Sequence, residues 1–198
     1  LAPAAYFLIA NDAWAQFDPT RDATEAPGVA AHFPDPAGVR FATPGFDPAQ
    51  PDFTSHAQMM ARLQALAESQ PRSVRLGSAG ASAQGRDLPT VLLAEGGRWR
   101  PERPTLMLVA HQHGNEPAPG EAMLVLLERW AAPESAALLK RVNVVALPRA
   151  NPDGAAAFKR VGSDGTDINR DHLLLRTPEA RAMAAVATRY RPQVVLDM

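Results

Sequence analysis

The chain has no cysteine. A disulfide framework and a thiolate metal site are both excluded, so any metal must be held by His, Asp or Glu; export is neither supported nor excluded. An excess of either charge is also missing. The 20 Lys and Arg against 21 Asp and Glu leave a net charge of −1, which gives no electrostatic reason to expect nucleic acid or an anionic membrane surface as partner. There is no internal repeat, no low-complexity tract and no apolar run long enough to span a bilayer. What remains is an ordinary globular composition over 198 residues, 46% hydrophobic and 21% charged. That is enough for one domain with a sizeable core, or for part of a larger one.

The chain starts at Leu1 with an apolar stretch, and Ala13-Trp14-Ala15 follows before Gln16. This reads as the apolar core and A-x-A cleavage site of a secretory signal peptide lacking its basic start. Residues 1–15 are therefore expected to be a signal remnant, and the protein periplasmic or secreted. Residues 16–53 are rich in Pro, Gly, Asp and Ala without a sustained period and read as an irregular lead-in. At the other end, Val194 to Met198 reads as a buried strand, where domains seldom stop, so a continuation beyond Met198 is expected.

Periodic order begins at Ser55. Ser55-x-x-Gln58 is a capping-box signature, Met59, Leu63, Leu66 and Ala67 share one helical face, and Pro71 closes the helix. Short strands at 74–76 and 90–94, around the Gly- and Ser-rich stretch 77–85, predict a hairpin. Thr105 to Ala110 and Val142 to Leu147 are apolar runs of strand length. Between them Met123, Leu126, Leu127 and Trp130 mark one face of a helix. A last helix takes Thr177 as N-cap and Pro178 at its first position, turns Ala180, Met183, Ala187 and Tyr190 inward, and leads to the strand at Val194. Apolar strands alternating with amphipathic helices predict an α/β domain, a three-layer α/β/α arrangement over a mixed, mostly parallel sheet. Ligands bind such sheets beyond the carboxyl ends of the strands. The polar clusters His111 to Glu116 and Asn151 to Gly154 fall there.

His113 and Glu116, three apart just past a strand end, can close on one metal ion; catalytic zinc is often held by two His and one Glu with water in the open position. Taken alone, the pattern is weak and more often that of a solvated polar loop. The second cluster is Asp167-Ile168-Asn169-Arg170, preceded by Arg160 and by Asn151-Pro152-Asp153-Gly154. An Arg with an adjacent amide can grip a carboxylate with two prongs. A second Arg can stabilise an oxyanion, and a carboxylate such as Asp167 can orient a metal-bound imidazole through its far nitrogen.

In this order, the three motifs HGNE, NPDG and DINRD resemble those of the zinc metallocarboxypeptidases related to carboxypeptidase A. The resemblance covers residues 54–198, as the N-terminal portion of the catalytic domain. It implies Zn2+ as cofactor, with His113 and Glu116 as the first two zinc ligands and Asp167 as the partner behind the zinc His. It implies Arg160 as the residue that polarises the scissile carbonyl, and Asn169 and Arg170 as the pair that binds the terminal carboxylate. The substrate would be a peptide or protein with a free C-terminal carboxylate, cut at its last peptide bond by attack of a zinc-bound water. The resemblance also implies a third ligand, a His, directly after Met198 and a general-base Glu further on, so residues 1–198 are expected to be an inactive fragment. Asn115 stands where some relatives carry an Arg, which leaves the preferred C-terminal residue open. His111 could face the same side as His113, although the family does not normally use that position; His172 could line the cleft; His32 and His56 read as surface or helix-start residues. Two other readings remain. One is an N-acyl amino acid hydrolase like aspartoacylase and succinylglutamate desuccinylase, against which the intact NPDG motif and the export signal speak. The other is a non-catalytic module that binds peptide C-termini, which has no need of His113 and Glu116.

Overall fold

The computed structural model describes residues 27–32, 42–47, 49–50 and 52–198. The expected signal remnant at 1–15 lies outside the described residues, as does much of the lead-in to residue 53. The helices are α1 (Pro27–Ala30), α2 (His56–Ser69), α3 (Pro117–Ala131), α4 (Ala136–Leu139), α5 (Pro152–Ala156) and α6 (Pro178–Tyr190). The strands are β1 (Val74–Ala81), β2 (Asp87–Leu93), β3 (Thr105–Val109), β4 (Asn143–Leu147) and β5 (Val194–Asp197).

Local chemistry sets the helix starts. The Ser55 side chain accepts from Gln58 N at 3.2 Å and the Gln58 side chain accepts from Ser55 N at 2.8 Å, so two of the unpaired donors at the start of α2 are satisfied reciprocally. At α6 the Thr177 hydroxyl accepts from Ala180 N at 3.2 Å, and Pro178 occupies a position whose N–H would have no helical partner. That helix ends on Arg191 in the left-handed region, φ 47°.

The strands form one sheet in the order β1-β2-β4-β3-β5. β3 is parallel to both β4 and β5, and β2 is antiparallel to both β1 and β4. Four strands therefore run one way and only β2 runs against them. The alternation of side chains along a strand divides the core into two layers. Leu108, Val144 and Ala146 face Met59 and Leu63 of α2 and Met123, Leu124 and Leu127 of α3. Met107, Val109, Val145 and Leu147 face Met183 and Val186 of α6. The three-layer mixed α/β sheet read from the sequence is the one observed.

Two local expectations change. The hairpin is longer than its apolar residues suggested: β1 continues through Gly77-Ser78-Ala79-Gly80-Ala81, with an irregular register between Ser78 and Ala81 and Gly80 at φ 119°. Small residues with little apolar signal still pair as a ribbon, here helped by Ala79 packed against the core on the α6 side and by the Ser78 hydroxyl donating to Asp87 Oδ1. The strand at 194–197 is not buried. Val194, Val195 and Leu196 are 58%, 57% and 46% exposed, because β5 is the edge strand and pairs only with β3. An apolar run identifies a strand but does not say which neighbours cover it.

Candidate metal and carboxylate site

Because β3 and β4 are adjacent and parallel, the loops that leave their carboxyl ends start side by side. The ladder continues past the strands: Ala110 N donates to Leu147 O, Ala150 N to Ala110 O and Asn151 N to His111 O, at 3.0, 2.9 and 3.0 Å. The Asn151 amide then ties three segments together. Its Nδ2 donates to Gln112 O at 3.1 Å and to Arg160 O at 3.3 Å, and its Oδ1 accepts from Gly154 N at 2.8 Å. Gly114 fits against α5 backbone to backbone: a Cβ there would lie 1.9 Å from the Gly154 carbonyl carbon and 2.3 Å from Ala155 N. Only glycine permits that approach.

This frame brings four of the six residues singled out in the sequence into mutual contact. His113 Nδ1 lies 3.1 Å from Glu116 Oε2. Its other nitrogen, Nε2, is 3.3 Å from Asp167 Oδ1, close but not aligned as a hydrogen bond. Arg160 Nε donates to Asp167 Oδ2 at 3.1 Å, and its Nη1 stands 3.7 Å from Glu116 Oε1. Burial tends to raise the Asp167 pKa, but the Arg160 hydrogen bond and charge, with His113 and the Asn169 amide, outweigh it and hold the carboxyl below its usual value. Asn169 and Arg170 sit in the same loop, in a short 3-10 turn that Asp167 begins by accepting Asn169 N at 3.1 Å and that buried Ile168 anchors in the core. Arg170 is exposed, and its Nη1 donates to Asn169 O at 3.0 Å.

The two donors nearest each other fit a metal. Two ligand atoms on a tetrahedral zinc stand roughly 3.3 Å apart, given metal–ligand bonds of about 2.0–2.1 Å. His113 Nδ1 and Glu116 Oε2 are at that spacing, and the carboxylate behind Nε2 is the arrangement that fixes a ligating imidazole. Among the described residues no group of three His, Cys, Asp or Glu is placed to hold a metal.

His111 turns away from this pair. It adopts φ 61°, is 2% exposed and sets Nε2 3.1 Å from Gly114 O. Burial, then the Arg149 charge, lowers its pKa to about 4, so the ring is neutral at pH 7. His172 and His32 are exposed, whereas His56, the first residue of α2, has both ring nitrogens buried.

Sequence reasoning passed over two groups beneath the loops. Glu121, on the apolar side of α3, accepts from Thr54 N at 2.9 Å and Thr54 Oγ1 at 2.8 Å, and Arg149 Nη2 donates to Thr54 O at 2.7 Å. A charge interrupting the apolar pattern at positions 121 and 149 was the available signal. Asp153 of the NPDG motif is 3% exposed and receives Ser82 Oγ at 2.7 Å, Gln84 N at 2.9 Å and Arg86 Nη1 at 2.7 Å, which fastens the hairpin tip to α5.

Residues 59–194 match the zinc carboxypeptidase family. Carboxypeptidase 2 of Trichophyton rubrum is 41% identical over 88 residues, covering 43% of this chain and 16% of that protein. Human carboxypeptidase D is 28% identical over 168 residues, covering 76% of this chain and 12% of that protein. Among solved structures, a metallo-carboxypeptidase from Pseudomonas aeruginosa is 30% identical with a TM-score of 0.58, covering 70% of this chain and 38% of that one. Carboxypeptidase A from Helicoverpa armigera, 20% identical, has a TM-score of 0.65 over 74% of this chain and 45% of that one, a likeness of fold. The matched region is thus under half the length of these two solved structures and under a fifth of these two curated relatives. No helix among the described residues is long and apolar enough to cross a membrane.

Proposed function

The chain belongs to the zinc carboxypeptidase family, and from that premise we propose that it contributes two metal ligands and the carboxylate grip to an enzyme that removes the C-terminal residue from peptides or proteins. The observation that carries the reading is the spacing of His113 Nδ1 and Glu116 Oε2, with Asp167 at the far nitrogen of the same imidazole.

His113 and Glu116 would hold Zn2+, and the ion, when bound, would supply a water of lowered pKa and an electrophile for the scissile carbonyl. Asp167, 3.3 Å from His113 Nε2, would favour the proton on that nitrogen and leave Nδ1 free for the metal. Arg160, anchored to Asp167 through Nε, presents its remaining N–H groups where negative charge grows on the carbonyl oxygen. Asn169 and the exposed Arg170 receive the terminal carboxylate of the substrate, which makes a free C-terminus the recognised group. Residues 54–198 act as part of the catalytic domain, and residues 1–15 direct the protein to the periplasm or the exterior.

The test measures zinc content and product release by the protein that carries this chain, using paired peptides with free and amidated C-termini. The expected result is tightly held zinc, loss of one residue at a time from the free peptide, and an untouched amide. Arg170→Ala should weaken kcat/KM about ten- to a hundredfold, the value of a charge-assisted hydrogen bond, and His113→Ala should lose the metal. Deacylation of N-acyl amino acids with both peptides intact would move the protein to the acylase class; peptide binding without tightly held zinc would make it a binding module.

A further inference from the structure

On the other side of the HGNE loop lies a second pocket, of about 480 Å³, that the metal and carboxylate residues do not use. Its walls include His56, His111, Gly114, Arg149, Ala156 and Phe158, so it shares Gly114 with the candidate metal loop. Arg149 is 5% exposed, and among the described residues no carboxylate comes within 4.0 Å of it. The nearby Glu121 is already committed, one oxygen to Thr54 N and the other to Thr54 Oγ1. Arg149 donates Nη2 to Thr54 O, and its Nε has no partner. Neither ring nitrogen of His56 has one, nor does Nδ1 of His111. A buried guanidinium with no ion-paired carboxylate, its pKa pushed down to about 10 by burial and only partly supported by the Glu121 charge, beside imidazole groups with unmade hydrogen bonds, is costly unless something completes it.

We infer that this pocket is a second carboxylate-binding site, distinct from Asn169 and Arg170, in which Arg149 and His56 receive one carboxylate group. The planar guanidinium edge matches a carboxylate in shape and charge, and a single fixed positive charge suits a monoanionic group better than a phosphate dianion. Asp52 also lines the pocket, but it is exposed and its Oδ1 accepts from Phe53 N at 2.7 Å, whereas Arg149 is the buried charge. Burial and then the Arg149 charge lower the His56 pKa and so favour the neutral ring, which offers one N–H without adding a second charge. The carboxylate comes from an acidic side chain of an extended peptide substrate or from a free small dicarboxylate. Only the first source rests on the peptidase reading.

The test follows the Arg149 Nε–H signal by NMR in the protein that carries this chain, identified as the resonance lost in Arg149→Lys, during titration with glutarate and with neutral glutaramide. No turnover or bound metal is needed, so a failed peptidase assay leaves the result readable. Glutarate should shift the signal saturably and glutaramide should not. Arg149→Lys should weaken glutarate about tenfold or more, measured by calorimetry, as removal of a charge-assisted pair of hydrogen bonds does. Should that variant fail to fold, Ala156→Glu serves instead: its new carboxylate at the pocket wall should abolish glutarate binding. Arg170→Ala should leave the response intact. An Arg149 signal indifferent to glutarate, an equal response to glutaramide, undiminished binding in Ala156→Glu, or loss of the response in Arg170→Ala each overturns the inference. With the site established, peptides of one C-terminal residue and an internal Glu or Gln separate the sources: a response to the Glu peptide assigns the site to substrate, and a response to glutarate alone assigns it to a free dicarboxylate.

Discussion

Replacing Gly114 by alanine tests the claim that the two motif loops are held backbone against backbone. The added Cβ would lie 1.9 Å from the Gly154 carbonyl carbon and 2.4 Å from its oxygen. Carbon atoms in ordinary contact are about 3.5 Å apart, so one loop must retreat by roughly 1.5 Å. α5 is poorly placed to yield, because Asn151 and Asp153 tie it on both sides. The loop of His113 and Glu116 therefore moves. Overpacking of this kind costs about 1–3 kcal/mol, which for a domain of this size lowers Tm by roughly 2–12 °C. Displaced ligands should bind zinc about ten- to a hundredfold more weakly, and a 1 Å misplacement at a reacting centre costs about a hundredfold in rate. The assay is zinc competition against a chromophoric chelator, beside calorimetric unfolding. Gly162→Ala is the control, since its Cβ would meet neighbours only at 3.4–3.6 Å; both quantities should stay near their original values. If Gly114→Ala matches the parent in Tm and zinc affinity, the close backbone contact does not hold the ligands.

The other expectations are shorter. Asp167→Asn removes the charge behind His113 and the anchor of Arg160, and should weaken zinc about ten- to a hundredfold in the same competition assay; unchanged affinity would refute its role in fixing the imidazole. Burial works to raise the Asp153 pKa, but hydrogen bonds from Ser82, Arg86 and Gln84 outweigh it and hold the carboxyl below its usual value. The unfolded chain then takes up the proton first as pH falls. The stability from this group is complete above the ordinary carboxylate pKa of about 4 and is lost as pH drops through the lower folded value. A plot of Tm against pH should show that acid-side decline, and Asp153→Asn should flatten it; an identical slope in the variant would count against the assignment. Ser55→Ala removes the hydroxyl that accepts from Gln58 N, while the backbone N–H of residue 55 still donates to the Gln58 side chain; the loss should cost about 1 kcal/mol, read as a Tm lower by roughly 2–4 °C.

Features encoded within a few residues were the most legible. The Ser55 cap, the Thr177-Pro178 start of α6 and the four-residue span from His113 to Glu116 each rest on neighbours in the chain, where spacing alone implies contact. The meeting of His113 with Asp167 is long-range, and it was readable only because the motif order resembled a family. Nothing in either motif says that Gly114 touches Gly154, because that contact depends on β3 and β4 being neighbours. The same limit explains the exposure of β5 and the length of β1: composition records what a residue tolerates, whereas exposure depends on which elements lie alongside. Glu121 and Arg149 were passed over because each is a single charge in an apolar run, and their meaning appears only when Thr54 is placed between them.

The parallel neighbours β3 and β4 also impose an order of events on the growing chain. They are joined through α3 and α4, so they can pair only after both helices have been made. His113 and Glu116 emerge during synthesis before Asn151, Arg160 and Asp167 exist to orient them. For that interval the HGNE turn is a loose two-donor chelate, with nothing to choose the His113 tautomer. On the function proposed above, a metal taken up then would be weakly held and freely exchanged, and capture would become selective only once the loop after β4 has delivered Asp167, so that metal binding would follow folding rather than seed it.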